Sequence, residues 1–269
     1  MILLENVAGF ESSEAHEKLL GVLQKRSYNY QEFMLSPSQF GIPNSRLRYY
    51  LIAKISPKAF SFNTSEKIEQ TLPVCTCYHS ILPEGSTSCS SCLLPLCLDA
   101  SRAIQRRFEK WHASDLASTR SLHSFQLELS SFLEPLRDVI PHLVERRTLL
   151  KYSTVFDIVH PASRGSCCFT KGYAHYVQGT GSVLQHNLEQ NLDSVFREIK
   201  ALDPTDPAFE QLLSSLQLRY FTPREVLRLM CFPEEFEIPS KCSSRQAYKA
   251  LGNSINVFVV TLLLIILLE

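Results

Sequence analysis

The first 55 residues carry a strand, a helix and two further strand signals, and that alternation restricts the fold more than any other feature of the chain. Ile2–Val7 is an apolar run closing on the polar pair Glu5-Asn6, the pattern of a strand buried on both faces. Ser12 or Ser13 offers the N-cap of a helix over Glu14–Lys25, with Ala15, Leu19, Val22 and Leu23 on its inner face. Tyr30–Leu35 and Arg46–Ile55 read as strands, parted by the turn signals Ser36-Pro37 and Gly41-Ile42-Pro43-Asn44. The fold expected is α/β.

Two positions in this frame invite chemistry. Glu5 stands at the carboxyl end of the first strand, where ligands of open α/β sheets bind. Its plainer role is a polar residue satisfied by loop amides. Arg46 and Arg48, two apart on the expected strand, would project from one face, and two guanidinium groups there need acceptors. An edge strand with a solvated face would also accommodate them, but the flanking Tyr49-Tyr50-Leu51-Ile52-Ala53 favours an interior strand.

Beyond Ser56 the character changes. Residues 57–147 read as a Ser- and Cys-rich variable insert with helical patterns over Ser101–Lys110 and Ser124–Leu136. Within it Cys75, Cys77, Cys89 and Cys92 form a C-x-C followed by C-x-x-C. That is a weak candidate for zinc, since two C-x-x-C pairs are the commoner arrangement. The alternative is free thiols in a loose loop, and no other metal site is expected. Tyr152–Val159 is strand-like, and four of the nine glycines between Gly165 and Gly181 mark turns. Thr222, Pro223 and Glu225 supply an N-cap, a first-turn proline and a capping-box acid for a further helix.

Composition sets limits. At 45% hydrophobic and 20% charged residues the chain is globular, and zero net charge leaves no global field toward nucleic acid or membrane. Two stretches nonetheless lack acids, Phe33–Ser65 and Ile158–Asn187, and are candidate anion-contact surfaces; chance produces such runs as well. Nine cysteines without a basic-then-apolar leader fit a reducing compartment, the cytoplasm and nucleus. The apolar run Val257–Leu268 is short of the ~20 residues a membrane span needs, so a buried helix and no membrane contact are expected.

Five blocks, ILLENV, NSRLRYYLIAK, SCCFTKGYAHYVQGTGSVL, RYFTPREVLRLMCFP and LGNSINV, resemble in order the motifs of the cytosine-5 methyltransferase family. The third resembles the Cys-Phe-Thr block of the eukaryotic subfamily that methylates a cytosine in the anticodon loop of aspartate tRNA. The resemblance implies the C-terminal portion of a Rossmann-like, S-adenosylmethionine-dependent methyltransferase domain with a smaller inserted target-recognition domain. The implied boundaries are 1–56 for a partial catalytic domain, 57–147 for the insert, 148–222 for target recognition and 223–269 for the return to the catalytic domain. It also implies tRNA as partner, with DNA a further candidate, and a monomer.

By the same resemblance, Glu5 hydrogen-bonds the flipped cytosine at N3 and its amine, drawing electron density from the ring so that C6 can be attacked. Arg48 contacts the cytosine O2, and Arg46 orients the substrate. Asn6 helps position the loop, Asn44 stands where the family has Gln, and both are assigned to substrate or RNA binding. Asn253 and Ser254 lie beside the methyl donor. Cys168, Phe169, Thr170, Lys171 and Tyr173 belong to the RNA-recognition surface, with Tyr176 beside them.

Two family blocks are missing. The Gly-rich donor-binding turn has no counterpart, since Gly179-Thr180-Gly181 does not open a helix. Nor does any Pro-Cys block precede Glu5, and Pro73-Val74-Cys75 and Pro95-Leu96-Cys97 do not match it. No nucleophilic cysteine is therefore assigned. The chain is expected to be truncated and inactive alone, with a non-catalytic RNA-binding remnant as the rival reading. One further departure is Cys231-Phe232-Pro233 where the family has Gly-Phe-Pro.

Overall fold

In the computed structural model the described residues are 1–73 and 126–269. They fall into two compact units. One holds Met1–Phe40, the described part of Leu47–Arg120, and Val257–Glu269; the other holds Gly41–Arg46 and the described part of Ser121–Asn256.

The first unit is built on a four-stranded sheet of order β1-β3-β2-β4, formed by β1 (Ile2–Val7), β2 (Tyr28–Leu35), β3 (Arg48–Ile55) and β4 (Ile68–Glu69). β3 runs antiparallel to both neighbours, with Val7 and Leu35 each facing Arg48. The carboxyl ends of β1 and β2 thus meet at the amino end of β3. Alternation then sorts the side chains onto two faces. Phe33, Leu35, Tyr50 and Ile52 pack against Val259, Leu263, Ile266 and Leu267 of the last helix, Val257–Leu268. Ser244–Leu268 is apolar enough by length and composition to cross a membrane, but its last twelve residues form this helix and bury six side chains.

The opposite face carries Tyr49, Leu51 and Ala53 under α1 (Glu14–Lys25), with Leu19, Leu20 and Leu23. Ser13 caps α1 as expected, its hydroxyl accepting from the His16 amide at 3.2 Å. The inner stripe is His16, Leu19, Leu20 and Leu23; Ala15 and Val22 of the expected face are exposed. They lie one residue to the side of the stripe that the 3.6-residue period turns inward. His16 Nε2 approaches Glu32 Oε1 at 2.5 Å, and Tyr49 donates its hydroxyl to the same oxygen at 2.7 Å. Burial, with the Glu32 carboxylate beside it, pushes the Tyr49 phenol well above the ordinary tyrosine range.

Two strand expectations change. β1 is half-buried along Ile2–Asn6 and exposed at Val7, not buried on both faces, because among the described residues it has a strand on one side only. β3 begins at Arg48, so Arg46 precedes the strand and the same-face pairing of the two arginines does not exist.

The second unit holds a three-stranded sheet of β5 (Ile158–Val159), β6 (Val183–Gln185) and β7 (Leu218–Tyr220), in that order. Around it lie α2 (Arg146–Tyr152), α3 (Leu192–Lys200) and α4 (Pro207–Ser215), sharing a core of Leu149, Val183, Val195, Ile199, Phe209, Leu213 and Leu218. The strand expected over Tyr152–Val159 is a helix end, a 3-10 turn at Ser153–Val155 and two strand residues. Of the helix expected over Ser124–Leu136, the described part shows only a 3-10 turn at Leu129–Phe132. The pattern over Ser101–Lys110 lies outside the described residues.

Next come α5 (Pro223–Leu229) and α6 (Ser244–Gly252), each opened by a capping box, Thr222 with Glu225 and Ser243 with Gln246. α5 stops abruptly. The Phe232 amide donates back to Leu227 O at 3.0 Å and the Cys231 amide to Arg228 O at 2.8 Å, with Cys231 at φ 59°. These paired bonds form a Schellman turn, whose left-handed residue is usually glycine. The final helix, Val257–Leu268, is α7 and belongs to the first unit.

Candidate substrate-binding site

Glu5 and Arg48 are diagonal neighbours on the α7 face of the first sheet, since Glu5 faces Tyr50 across the ladder and Arg48 faces Val7. Arg48 Nε lies 3.3 Å from Glu5 Oε1, and the side chains keep 15% and 24% of their surface exposed. Arg48 also donates to Leu47 O at 2.8 Å. The strand ends thus present a carboxylate and a guanidinium together at a partly open surface. Such a pair can grip a planar, polar ring edge from two sides. Asn6, next to last in β1, accepts through its Oδ1 from the Val7 amide at 2.9 Å.

Arg46 has a different environment. It is 3% exposed, in the second unit, and its guanidinium meets three backbone carbonyls and a thiol. Nη1 reaches Cys168 Sγ and Phe169 O, both at 3.4 Å; Nη2 reaches Gly252 O at 3.2 Å and makes a short bond to Ser254 O. Asn44, fully buried, donates to Ser166 Oγ at 3.1 Å and Cys167 O at 3.0 Å. The Ser45 amide donates to Ser166 O at 2.9 Å. Residues 44–46 therefore zip along 166–169.

The aromatic residues assigned to RNA recognition are core residues. Phe169 and Tyr173 are 1% and 2% exposed, with ring centroids 4.9 Å apart edge to face. The Tyr173 hydroxyl donates to Ser182 O at 2.7 Å and accepts from the Phe221 amide at 2.8 Å. Gly181 makes room for them, because a Cβ there would stand 2.7 Å from the Tyr173 ring. Stacking faces are thus unavailable on Phe169 and Tyr173. Lys171 and Tyr176 remain exposed, Tyr176 at 65%. Thr170 is half-buried, and its amide donates to Thr180 O at 2.9 Å. Cys168 is half-buried beside Arg46. Cys167 is held above its ordinary range, at about 11, first by burial of the thiol and then by Asp157.

Gly252 is the residue that sequence reasoning passed over. A Cβ there would lie 2.1 Å from the Lys171 amide nitrogen and 2.2 Å from the Thr170 carbonyl carbon. Only glycine permits that approach. The sequence signal was present in LGNSINV, without its reason.

A sequence profile of C-5 cytosine-specific DNA methylases matches residues 1–265. The chain belongs to the cytosine-5 methyltransferase family. A tRNA (cytosine(38)-C(5))-methyltransferase of Rattus norvegicus is 40% identical over the whole chain, which covers 71% of that relative. Among solved structures, a DNMT2 mutant of Spodoptera frugiperda superposes with TM-score 0.77 at 33% identity, and the Dnmt2 methyltransferase of S. pombe with TM-score 0.68 at 34%. The chain covers all of itself and 66% of each of those chains, so it spans about two thirds of their length.

Cys231 stands where the family's Gly-Phe-Pro block has glycine, and its positive φ shows why glycine suits that place. The described residues do not fit the methyl donor as a cradle. Gly181 packs against the Phe169 and Tyr173 rings while Gly179 faces open space, Ser254 gives its hydroxyl to Leu251 O at 2.7 Å and its carbonyl to Arg46, and Asn253 is the exposed C-cap of α6. Cys75, Cys77, Cys89 and Cys92 lie outside the described residues. Among the described residues no three His, Cys, Asp or Glu side chains group around a point fit for a metal ion.

Proposed function

We propose that this protein serves S-adenosylmethionine-dependent methylation of cytosine C5 in tRNA, holding the polar edge of the target base against the adjacent Glu5 and Arg48 side chains. The Glu5–Arg48 pair on one face at the strand ends carries this reading. The extruded cytosine presents its N3 and amine edge to Glu5 and its O2 to Arg48, where negative charge builds as a nucleophile adds at C6. The relatives' names give tRNA and cytosine 38 as their target, and the resemblance of the Cys-Phe-Thr block makes the anticodon loop of aspartate tRNA the substrate this reading favours.

The nucleophilic thiolate and the donor-binding turn are not supplied by these 269 residues, so the polypeptide by itself holds the base without transferring a methyl group. The test pairs two assays on the purified chain. One follows methyl incorporation from labelled S-adenosylmethionine into aspartate tRNA, and the other measures binding of the same tRNA against a DNA competitor. Binding without incorporation is expected. Incorporation at many turnovers would refute the inability to act alone, and failure to bind tRNA would refute the RNA reading. Binding unaffected by Arg48→Ala and Glu5→Gln would favour a non-catalytic RNA-binding protein.

A further inference from the structure

Arg46 is one of the most heavily engaged side chains in the second unit, and its partners come from two loops far apart in sequence. On one side are Cys168 Sγ and Phe169 O; on the other are Gly252 O and Ser254 O. A guanidinium buried to 3% exposure is costly without acceptors, and here peptide carbonyls supply them. The same two loops touch again without Arg46, where the Thr170–Lys171 backbone lies on the bare Cα of Gly252. A third set of bonds fixes the segment that carries Arg46: Ser166 Oγ donates to Pro43 O, and Asn44 and Ser45 donate to Ser166 and Cys167.

These contacts assign a role other than substrate contact. We infer that Arg46 is a positioning residue that locks the 168–171 turn to the 252–254 turn, so that occupancy of either turn is felt at the other. Lys171 and Asn253 are the exposed residues these turns present, one on each side of the lock. The guanidinium shape matters, because its flat fork bonds both loops at once, whereas an ammonium offers one point of attachment. That the ligand at the Lys171 turn is tRNA rests on the function proposed above; the lock itself does not. Coupling of this kind is reciprocal, so RNA bound at one turn must also quiet the other.

Hydrogen exchange of the full 269-residue chain, resolved by peptide and followed with and without aspartate tRNA, tests this. In the wild type, tRNA is expected to slow exchange at both 168–171 and 252–254. In Arg46→Lys, which keeps the charge, both turns exchange faster, tRNA protects only the first, and tRNA affinity falls by about fivefold or more. Gly252→Ala, which drives the two backbones apart from the other side, gives the same double signature should Arg46→Lys fail to fold. Unchanged exchange at either turn in Arg46→Lys would overturn the inference, as would protection of both turns by tRNA in that variant. If the wild type binds no tRNA, the functional reading fails, and the exchange rates without RNA still decide whether Arg46 locks the turns.

Discussion

Glu5 and Arg48 meet across the β1–β3 ladder at 3.3 Å, both partly open to solvent. For stability such a half-exposed pair contributes on the order of 1 kcal/mol or less. Its weight falls on ligand binding instead. Arg48→Ala is expected to weaken tRNA binding by about 1–3 kcal/mol, the range of one base-edge contact, with little change in the unfolding midpoint. Fluorescence anisotropy with a labelled anticodon stem-loop measures the first and urea unfolding the second. Glu5→Gln combined with Arg48→Ala should fall short of additive, as expected of side chains in contact.

Arg219 and Glu225 form the opposite kind of pair, joined by two bonds of 2.8 Å at 2% and 0% exposure. Glu225 also caps α5 through the Thr222 amide at 2.9 Å. Glu225→Ala leaves Arg219 as an uncompensated buried cation, and a loss of about 3–5 kcal/mol is expected in chemical unfolding. Glu210→Ala, which breaks the solvent-facing pair with Arg146, is the control and should leave the midpoint near its original value.

Cys231 gives a comparison between two truncations. Cys231→Ala and Cys231→Gly remove the same thiol, but only glycine takes the left-handed turn without strain. The glycine variant is expected to be more stable than the alanine variant by about 1 kcal/mol. Equal midpoints would show that the turn carries no strain.

Tyr49, Tyr173 and Tyr248 all hold their phenolic protons beyond the ordinary tyrosine range, chiefly through burial. The folded state therefore binds these protons more tightly than the unfolded chain does. Their contribution to stability is complete below pH ~10 and is lost as pH rises above it, when the unfolded chain ionises first. In an alkaline titration exposed tyrosines such as Tyr176 ionise first, and the remaining rise in tyrosinate absorbance near 295 nm should coincide with the loss of far-ultraviolet circular dichroism. Ionisation of these phenols ahead of unfolding would contradict their burial.

Signals contained within a few residues were legible in the sequence. The Ser13 cap with the Glu14–Lys25 helix, the capping box at Thr222 and the apolar helix Val257–Leu268 all stand where their local chemistry puts them. What depends on distant partners was not legible. Arg46 looked like the twin of Arg48 because alternation cannot mark where a strand begins, and its acceptors lie more than a hundred residues away. Phe169 and Tyr173 looked like stacking platforms, yet the space left by Gly181 draws them inward. Glu5 and Arg48 were each singled out through family resemblance, while the register that joins them came from the sheet.

The covering of the first sheet has a consequence for synthesis. Phe33, Leu35, Tyr50 and Ile52 have all emerged once β3 is made, but the helix that shields them begins at Val257, roughly 200 residues later. At about 5–20 residues per second the ribosome leaves that apolar face without α7 for on the order of 10–40 s. During that interval the nascent chain offers a natural landing site for chaperones.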